Sequence, residues 1–465
     1  TRKSLKKIKV AKACGPDNIG GNLLKACQHN LLYIIHKIFE MSFRTCTFPS
    51  IWKIGEIVPL QKKPRPQQDN DYRPVTLTAV LSKCLERVGL DLLQPLINSS
   101  MDPMQFAYTR GRSTSDAVVT LLHKITKHLD ITSSNTVRLL CIDYSSAFNT
   151  VQPHLMIDKL KHLSIPEFLQ LWVLDFLTGR PQYVRTCLET STVKTLNTGA
   201  PQGCVLSPVL FSLYTNDLRW NSSDGNVTIA KYADDTIIIG LITKDNATEY
   251  LQCVDFVNHW CKDNFLELNV KKTKELRIDF RRNNNVNCQS IYINDAIVDV
   301  CTDYKYLGLV IDNRLRFEQH VTDQCKKAFR KIYYVRAMSR LGVDNDIIVM
   351  FFNATVMPTL TYAIIAFYNF LREDLKRKLT KPRKVCKKIL RGNDIDLNSI
   401  EEIHSKDVIK TATKIVRDEL HPLNTELSRT PSGRRWRVLP MRTSRFKNSF
   451  VPSAIILLNQ NHIII

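Results

Sequence analysis

The 465-residue sequence lacks several features that mark common classes of protein. It contains only 15 glycines, which excludes collagen-like and glycine-rich low-complexity chains. Its 13 cysteines form no Cys-x-x-Cys pair, which argues against a zinc ribbon and against a disulfide framework. The Lys-rich N-terminus carries no apolar signal segment. Reduced thiols and the missing signal predict a protein of the nucleus and cytoplasm.

Acidic residues are also scarce relative to basic ones. There are 44 Asp and Glu against 66 Lys and Arg, a formal net charge of +22 and a sequence pI near 9.5. A surplus of this size favours a polyanionic partner, most often nucleic acid. With 44% hydrophobic and 24% charged residues, the composition is that of a folded chain with room for two or three domains.

One apolar stretch has the length of a membrane span. No charged side chain occurs from Ile347 to Leu371. Polar residues interrupt this stretch, and Pro358 is expected to break or kink a helix. We therefore expect two buried helices of a globular domain here, and no membrane partner.

Three carboxylates occur at the ends of apolar strands. Asp143 follows the strand pattern Val137–Ile142, and Asp234 and Asp235 lie between two strand patterns rich in Ile and Val. A turn would explain an Asp-Asp pair by itself. Adjacent carboxylates among buried strands repel each other, however, and a divalent cation relieves that repulsion. Mg²⁺ prefers such oxygen ligands together with substrate phosphates. The mixture of strands and helices, without strict alternation, predicts an α+β fold with an all-α appendage.

Seven segments in order resemble the motifs of reverse transcriptases from non-LTR (LINE-type) retrotransposons. Residues 232–235 (Tyr-Ala-Asp-Asp) resemble motif C, residues 143–148 (Asp-Tyr-Ser-Ser-Ala-Phe) motif A, and residues 199–208 with 213–218 motif B. Two finger motifs upstream, at 72–77 and 105–114, motif D at 268–274 and a primer-grip motif at 306–308 complete the set. The resemblance implies a right-hand polymerase with palm, fingers and a mainly α-helical thumb.

The resemblance implies that Asp143, Asp234 and Asp235 hold two Mg²⁺ ions, with Mn²⁺ as the alternative, for transfer of a nucleotide from a dNTP to a primer 3′-hydroxyl. Lys272 is then a candidate proton donor to pyrophosphate. Phe148 occupies the position of the gate that excludes a ribose 2′-hydroxyl. The remaining residues implied to bind substrate are Arg73 and Lys62, toward the triphosphate, and Gln202 and Gly203, beside the dNTP and template.

Basic and turn residues are the candidates for nucleic-acid binding, with an RNA template and a DNA primer or target as partners. They are Arg110, Arg112, the primer-grip residues Tyr306, Leu307 and Gly308, and Lys384, Lys388, Arg435 and Trp436 in two basic clusters after the palm. Trp436 is expected to offer a stacking surface among the arginines. The first cluster extends to Arg391. A solvated basic helix and tail is the alternative explanation of these runs.

The resemblance also sets the expected domain bounds and the rival functions. Residues 1–42 form an N-terminal helical extension, 43–312 fingers and palm, 313–391 a helical thumb, and 392–465 a basic C-terminal tail. One rival is a catalytically inactive nucleic-acid-binding relic, which the intact carboxylates disfavour. The other is a group II intron-type maturase, which the wording of motifs A and B disfavours. Asn149 stands where LINE-type motif A often has Asp.

Overall fold

The computed structural model describes residues 1–187, 189–281, 289–390, 397–461 and 463. The chain forms two compact units. The first comprises Thr1–Thr109, Tyr144–Arg219 and Phe256–Leu268. The second comprises Arg110–Asp143, Trp220–Asp255 and Asn269–Ile465. The boundary between Asp143 and Tyr144 falls inside the predicted motif A.

Helices are distributed along the whole chain. In order they are α1 (Arg2–Lys6), α2 (Gly21–Ala26), α3 (Gln28–Arg44), α4 (Ser50–Lys53), α5 (Val80–Ile97), α6 (Thr114–Ile131), α7 (Pro153–His162), α8 (Glu167–Leu177), α9 (Ser207–Tyr214), α10 (Thr248–Asp263), α11 (Glu318–Arg340), α12 (Asn345–Phe351), α13 (Met357–Thr361), α14 (Ile364–Phe367), α15 (Glu373–Ile389), α16 (Ile400–Val416), α17 (Ser444–Lys447) and α18 (Phe450–Gln460).

The strands are shorter than most of the helices. They are β1 (Gly55–Gln61), β2 (Tyr72–Leu77), β3 (Thr136–Ile142), β4 (Arg180–Val184), β5 (Lys194–Leu196), β6 (Val227–Tyr232), β7 (Asp235–Ile242), β8 (Lys274–Ile278), β9 (Tyr292–Ile293), β10 (Ala296–Ile297), β11 (Asp299–Cys301), β12 (Asp303–Tyr306) and β13 (Leu309–Asp312). Mixed helix and strand content confirms the predicted α+β class.

The first unit contains a four-stranded sheet in the order β2-β1-β4-β5. Strand β1 pairs with β2 in antiparallel and with β4 in parallel orientation. Helix α8 packs on α3 and α7, and its Trp172 and Phe176 are fully buried. The Trp172 ring also contacts Phe43 and Phe48, so aromatic side chains form the core between these helices.

The second unit contains a five-stranded sheet in the order β11-β8-β3-β7-β6. All seven residues of the central strand β3 are buried, as expected of an apolar run with neighbours on both sides. Strands β6 and β7 form a hairpin, and Ala233 in its turn has a positive φ of 57°. Pairing of Ile142 with Thr236 brings the end of β3 beside this turn.

Helix α6 begins as its sequence predicts. Ser113 and Asp116 form a capping box, in which each side chain accepts a hydrogen bond from the other residue's backbone N–H. Apolar residues at helical spacing predict a helix over 114–129, and the helix runs two residues further, to Ile131. The sequence pattern predicts a helix over 255–264, which covers only the second half of α10, because α10 begins at Thr248.

The apolar run after residue 345 is interrupted as its sequence suggested. By length and composition alone, Asn345–Phe370 could cross a membrane, with a mean hydropathy of 1.7 in its most apolar window. A π-helical turn, Phe352–Val356, separates α12 from α13, and Pro358 lies in the first turn of α13. The run therefore consists of short segments rather than the two helices that we expected.

The C-terminal part contains more structure than a basic tail. Helix α11 packs on α15, while α16 packs on α14 and α18. Helix α18 buries Val451, Ala454 and Leu458 completely. Helices α16, α17 and α18 fall within the predicted tail, residues 392–465, and belong to the compact second unit, so this region is not a simple basic tail. The bounds 1–42, 43–312, 313–391 and 392–465 stay predictions.

Candidate active site

Three carboxylates lie at one edge of the five-stranded sheet. Asp143 immediately follows β3, Asp234 lies in the β6–β7 turn, and Asp235 begins β7. Strand register places them together, because Ile142 pairs with Thr236. Adjacent strands are about 5 Å apart, so side chains at the ends of neighbouring strands interact directly.

The three carboxylates are close enough for their charges to act on one another. Partial burial of its carboxylate, followed by the negative charges of Asp234 and Asp143, raises the pKa of Asp235 to about 6. One carboxylate oxygen of Asp143, Oδ2, is buried and accepts no hydrogen bond from the described residues. The ammonium of Lys272 is 3.6 Å from this oxygen, and its side chain is 69% exposed. Such a solvated pair contributes little energy, so it does not neutralise the site.

These residues fit a divalent cation. Among the described residues, no three carboxylate, imidazole or thiolate groups already stand as the ligands of one ion. The three aspartates nevertheless supply hard oxygen donors, one of them with a buried oxygen that accepts no hydrogen bond from the described residues, and burial together with the charges of Asp234 and Asp143 raises the pKa of Asp235. A bound cation would remove that repulsion.

A tyrosine-bearing hairpin lies beside the carboxylates. Burial, and then the charges of nearby groups that include Asp235, raise the pKa of both Tyr304 and Tyr306 in β12. The side chain of Tyr306 is buried, so the predicted contact of Tyr306 with nucleic acid could be made only through its backbone, and it stays a prediction. Leu307 and Gly308 form the half-exposed turn of the hairpin, with positive φ angles of 46° and 88°. Tyr304 was not predicted, although its spacing of two from Tyr306 places both on one face of the strand.

The hairpin turn is held from one side. The Tyr362 hydroxyl donates a hydrogen bond to the carbonyl oxygen of Leu307. A Cβ on Gly308 would lie 3.0 Å from the Tyr362 ring, so a larger residue would push this ring away. The hydrogen bond to Leu307 and the close packing of the Tyr362 ring on Gly308 together fix the position of the turn.

The first unit holds the predicted substrate residues of motifs A and B. Phe148 stacks on Phe211 with ring centroids 4.7 Å apart, and the Phe148 carbonyl oxygen accepts a hydrogen bond from the Ala200 N–H. The Thr76 N–H donates to the carbonyl oxygen of Gln202 at 2.6 Å. A cavity of about 170 Å³ is lined by residues that include Thr76 and Gln202.

Position 203 requires glycine, because the backbone of Thr76 comes too close for any side chain. Its φ is 123°, and an added Cβ would lie 2.5 Å from the carbonyl oxygen of Thr76. Arg73 on β2 and Lys62 after β1 are both exposed in the same unit. Neighbouring Lys63 instead forms an ion pair with Asp71 at 2.8 Å. The roles of Arg73, Lys62, Gln202 and Gly203 stay predictions.

Arg112 does not meet a template phosphate as predicted. Its side chain is only 3% exposed, and its Nε donates to Asp418 at 3.1 Å while Nη2 donates to the Leu420 carbonyl oxygen at 2.7 Å. A guanidinium that is buried and paired in this way has no surface left for phosphate. Arg110 is exposed, and its predicted role stands as a prediction.

Trp436 does not offer a stacking surface as predicted. It is 4% exposed, its Nε1–H donates to the Ile463 carbonyl oxygen at 3.2 Å, and the guanidinium of Arg429 covers its ring at 5.0 Å. Lys384, Lys388 and Arg435 are exposed, so they retain their predicted role. Arg391 lies outside the described residues.

The end of a central strand and the turn of a neighbouring hairpin thus place three carboxylates together at one edge of the sheet. The family model described as reverse transcriptase (RNA-dependent DNA polymerase) matches residues 60–311. The chain belongs to this family.

Similarity to proteins of mobile elements covers more of the chain than the family model does. The RNA-directed DNA polymerase from mobile element jockey of Drosophila funebris is 28% identical over 82% of this chain and 42% of its own length. The Pol polyprotein from retrotransposable element R1 of Bradysia coprophila is 26% identical over 79% of this chain and 37% of its own length. These matches confirm the predicted resemblance to non-LTR elements. The chain spans about two fifths of the length of these relatives.

Solved structures are more distant. A telomerase from Candida tropicalis, solved with a fragment of telomeric RNA, is 10% identical. That alignment covers 86% of this chain and 67% of the telomerase chain, with a TM-score of 0.42.

Proposed function

We propose that this chain is the RNA-directed DNA polymerase of a non-LTR retrotransposon, copying an RNA template from a DNA primer with dNTPs. The observation that carries the proposal is the convergence of Asp143, Asp234 and Asp235 at one sheet edge, where their charges act on each other. Family membership supports the reaction, and the net charge of +22 supports a nucleic-acid partner.

In this proposal the three aspartates hold two Mg²⁺ ions. When bound, the ions supply activation of the primer 3′-hydroxyl and stabilisation of the leaving pyrophosphate. The aspartates contribute their charge and their position at the ends of buried strands. Lys272 is close to Asp143 and well exposed, so its ammonium can turn from the carboxylate toward pyrophosphate and donate a proton.

The substrate roles follow from chemistry as well as from resemblance. The ring of Phe148, stacked on Phe211, is rigid enough to exclude a ribose 2′-hydroxyl. Arg73 and Lys62 provide exposed cations for triphosphate oxygens. The exposed cations Arg110, Lys384, Lys388 and Arg435 would bind nucleic-acid phosphates, with an affinity that falls steeply with salt.

The decisive experiment is primer extension on poly(rA)/oligo(dT) with Mg²⁺. We expect extension by the parent chain, and a loss of at least about 100-fold in Asp234→Asn, since a metal ligand is removed. Asp224→Asn makes the same chemical change at an exposed turn residue of the same unit and should leave extension unchanged.

A binding measurement separates the rival function. Fluorescence anisotropy with the same labelled duplex reports affinity without chemistry. A folded parent chain that binds the duplex but extends no primer would identify a binding relic and refute the polymerase. Equal extension by the parent and Asp234→Asn would refute the assigned site.

A further inference from the structure

The motif B loop of the first unit leads into a helix that has no cap of its own. Helix α9 begins at Ser207, and the residue before it, Leu206, has no side-chain acceptor for the free N–H groups of the first turn. The loop before it contains Gln202 and Gly203, whose positions the proposed reaction requires. At the end of this loop, the backbone N–H groups of Val205 and Leu206 are bonded by a side chain from outside the loop.

Glu86 on helix α5 is placed to do this. Its Oε2 accepts hydrogen bonds from the N–H of Val205 at 2.5 Å and from the N–H of Leu206 at 3.0 Å. Its Oε1 accepts a hydrogen bond from the Ser82 hydroxyl at 3.1 Å. Glu86 is 0% exposed. A carboxylate from a helix that is about 120 residues away in sequence thus holds the last two backbone N–H groups of the loop before α9.

Burial raises the pKa of the Glu86 carboxyl, while the hydrogen bonds from the loop and the charge of Arg180 act in the opposite direction and favour the carboxylate. The guanidinium of Arg180, itself 5% exposed, is close enough to act on the charge of Glu86. Both groups lie near the same loop. The charge of Glu86 raises the pKa of the Cys204 thiol and that of Arg180 lowers it, and Arg180 lines the same cavity as Gln202. The loop is thereby held at two points, by Glu86 at its end and by the Thr76–Gln202 hydrogen bond at its middle.

We infer that Glu86 is a positioning residue that fixes the motif B loop, and through it Gln202 and Gly203, for binding of the incoming nucleotide. The functional part rests on the proposed polymerase activity, while the structural part does not. Without Glu86, the two N–H groups lose their acceptor in a dry environment, and the loop opens more often.

Thiol labelling tests the structural part without activity. Cys204 is only 7% exposed, so its alkylation by N-ethylmaleimide, followed by peptide mass spectrometry, reports opening of the loop. We expect labelling of Cys204 in Glu86→Ala to be roughly 10- to 100-fold faster than in the parent, and labelling of Cys253 to be unchanged. Glu86→Gln keeps one oxygen acceptor and should lie near the parent.

Leu93→Ala is the matched control, because Leu93 is also buried on α5 but is not bonded to the loop. It should lower the melting temperature without accelerating labelling of Cys204. A labelling rate in Glu86→Ala no higher than that in Leu93→Ala, at equal loss of melting temperature, would overturn the inference.

Primer extension then tests the functional part. We expect Glu86→Ala to raise the KM for dNTP at least about tenfold, with a smaller change in kcat, and Glu86→Gln to restore most of the loss. Faster labelling with an unchanged KM would reject the role in nucleotide binding. Absence of extension in the parent would refute the polymerase proposal instead, and the labelling result would stand alone.

Discussion

Replacing Asp116 with Asn should remove a pH-dependent part of the stability of the second unit. Asp116 is 0% exposed, accepts hydrogen bonds from the N–H and hydroxyl of Ser113, and lies 2.6 Å from the ammonium of Lys414 and 3.6 Å from Nε2 of His421. Burial by itself would raise the pKa of Asp116, but His421, Lys414 and Ser113 outweigh burial and lower it to about 2.

The magnitude follows from that shift. The ordinary value is 3.8, so the folded state favours the carboxylate by nearly two pH units, or about 2 kcal/mol. Because the pKa is depressed in the folded state, this stability is present in full above about pH 5 and is lost as the pH falls through 4 toward 2.

Urea unfolding followed by circular dichroism between pH 7 and pH 3 measures this effect. The free-energy difference between the parent and Asp116→Asn should be about 2 kcal/mol at pH 7 and should shrink below pH 4. Asp158→Asn, at a side chain that is 58% exposed, should show no such difference. A difference for Asp116→Asn that is the same at pH 3 and pH 7 would refute the reasoning.

Three further predictions concern single side chains. Phe148→Val should admit ribonucleotides in primer extension, and unaltered sugar discrimination would remove Phe148 from the gate. Gly203→Ala should reduce extension at least about tenfold, because its Cβ would overlap the Thr76 backbone. Gly225→Ala, at a φ of 70° and with no described atom within 4 Å of the added Cβ, should leave extension unchanged. Trp436→Ala should destabilise the fold by about 3 to 5 kcal/mol without a change in salt-dependent RNA affinity, whereas Arg435→Ala should weaken RNA affinity without unfolding.

Local patterns predicted the elements that carry the acidic site. Strand β3 is an apolar run that ends at an aspartate, and the turn between two Ile- and Val-rich strands contains the other two. Hydrophobic periodicity and capping depend on neighbours in sequence, and for this reason the start of α6 was also predicted correctly. The resemblance of seven ordered segments supplied the family, which the comparisons confirm.

Burial of the polar candidates could not be predicted in the same way. Glu86 has no local feature that distinguishes it from a surface glutamate, and its partners Val205 and Leu206 are about 120 residues away. The closeness of Tyr304 to the carboxylates depends on the packing of β12 against β8 of the five-stranded sheet, a contact between strands that the sequence does not reveal.

The sequence by itself determined which residues could carry the chemistry, because residue type, charge and strand patterns are local properties. Only the tertiary structure decided which of them remain available at the surface. Arg112 pairs with Asp418, 306 residues later. The indole N–H of Trp436 donates a hydrogen bond to the carbonyl oxygen of Ile463. A basic or aromatic side chain in a charged run looks the same in sequence whether it faces solvent or closes a core, since its burial depends on which distant segments pack against it.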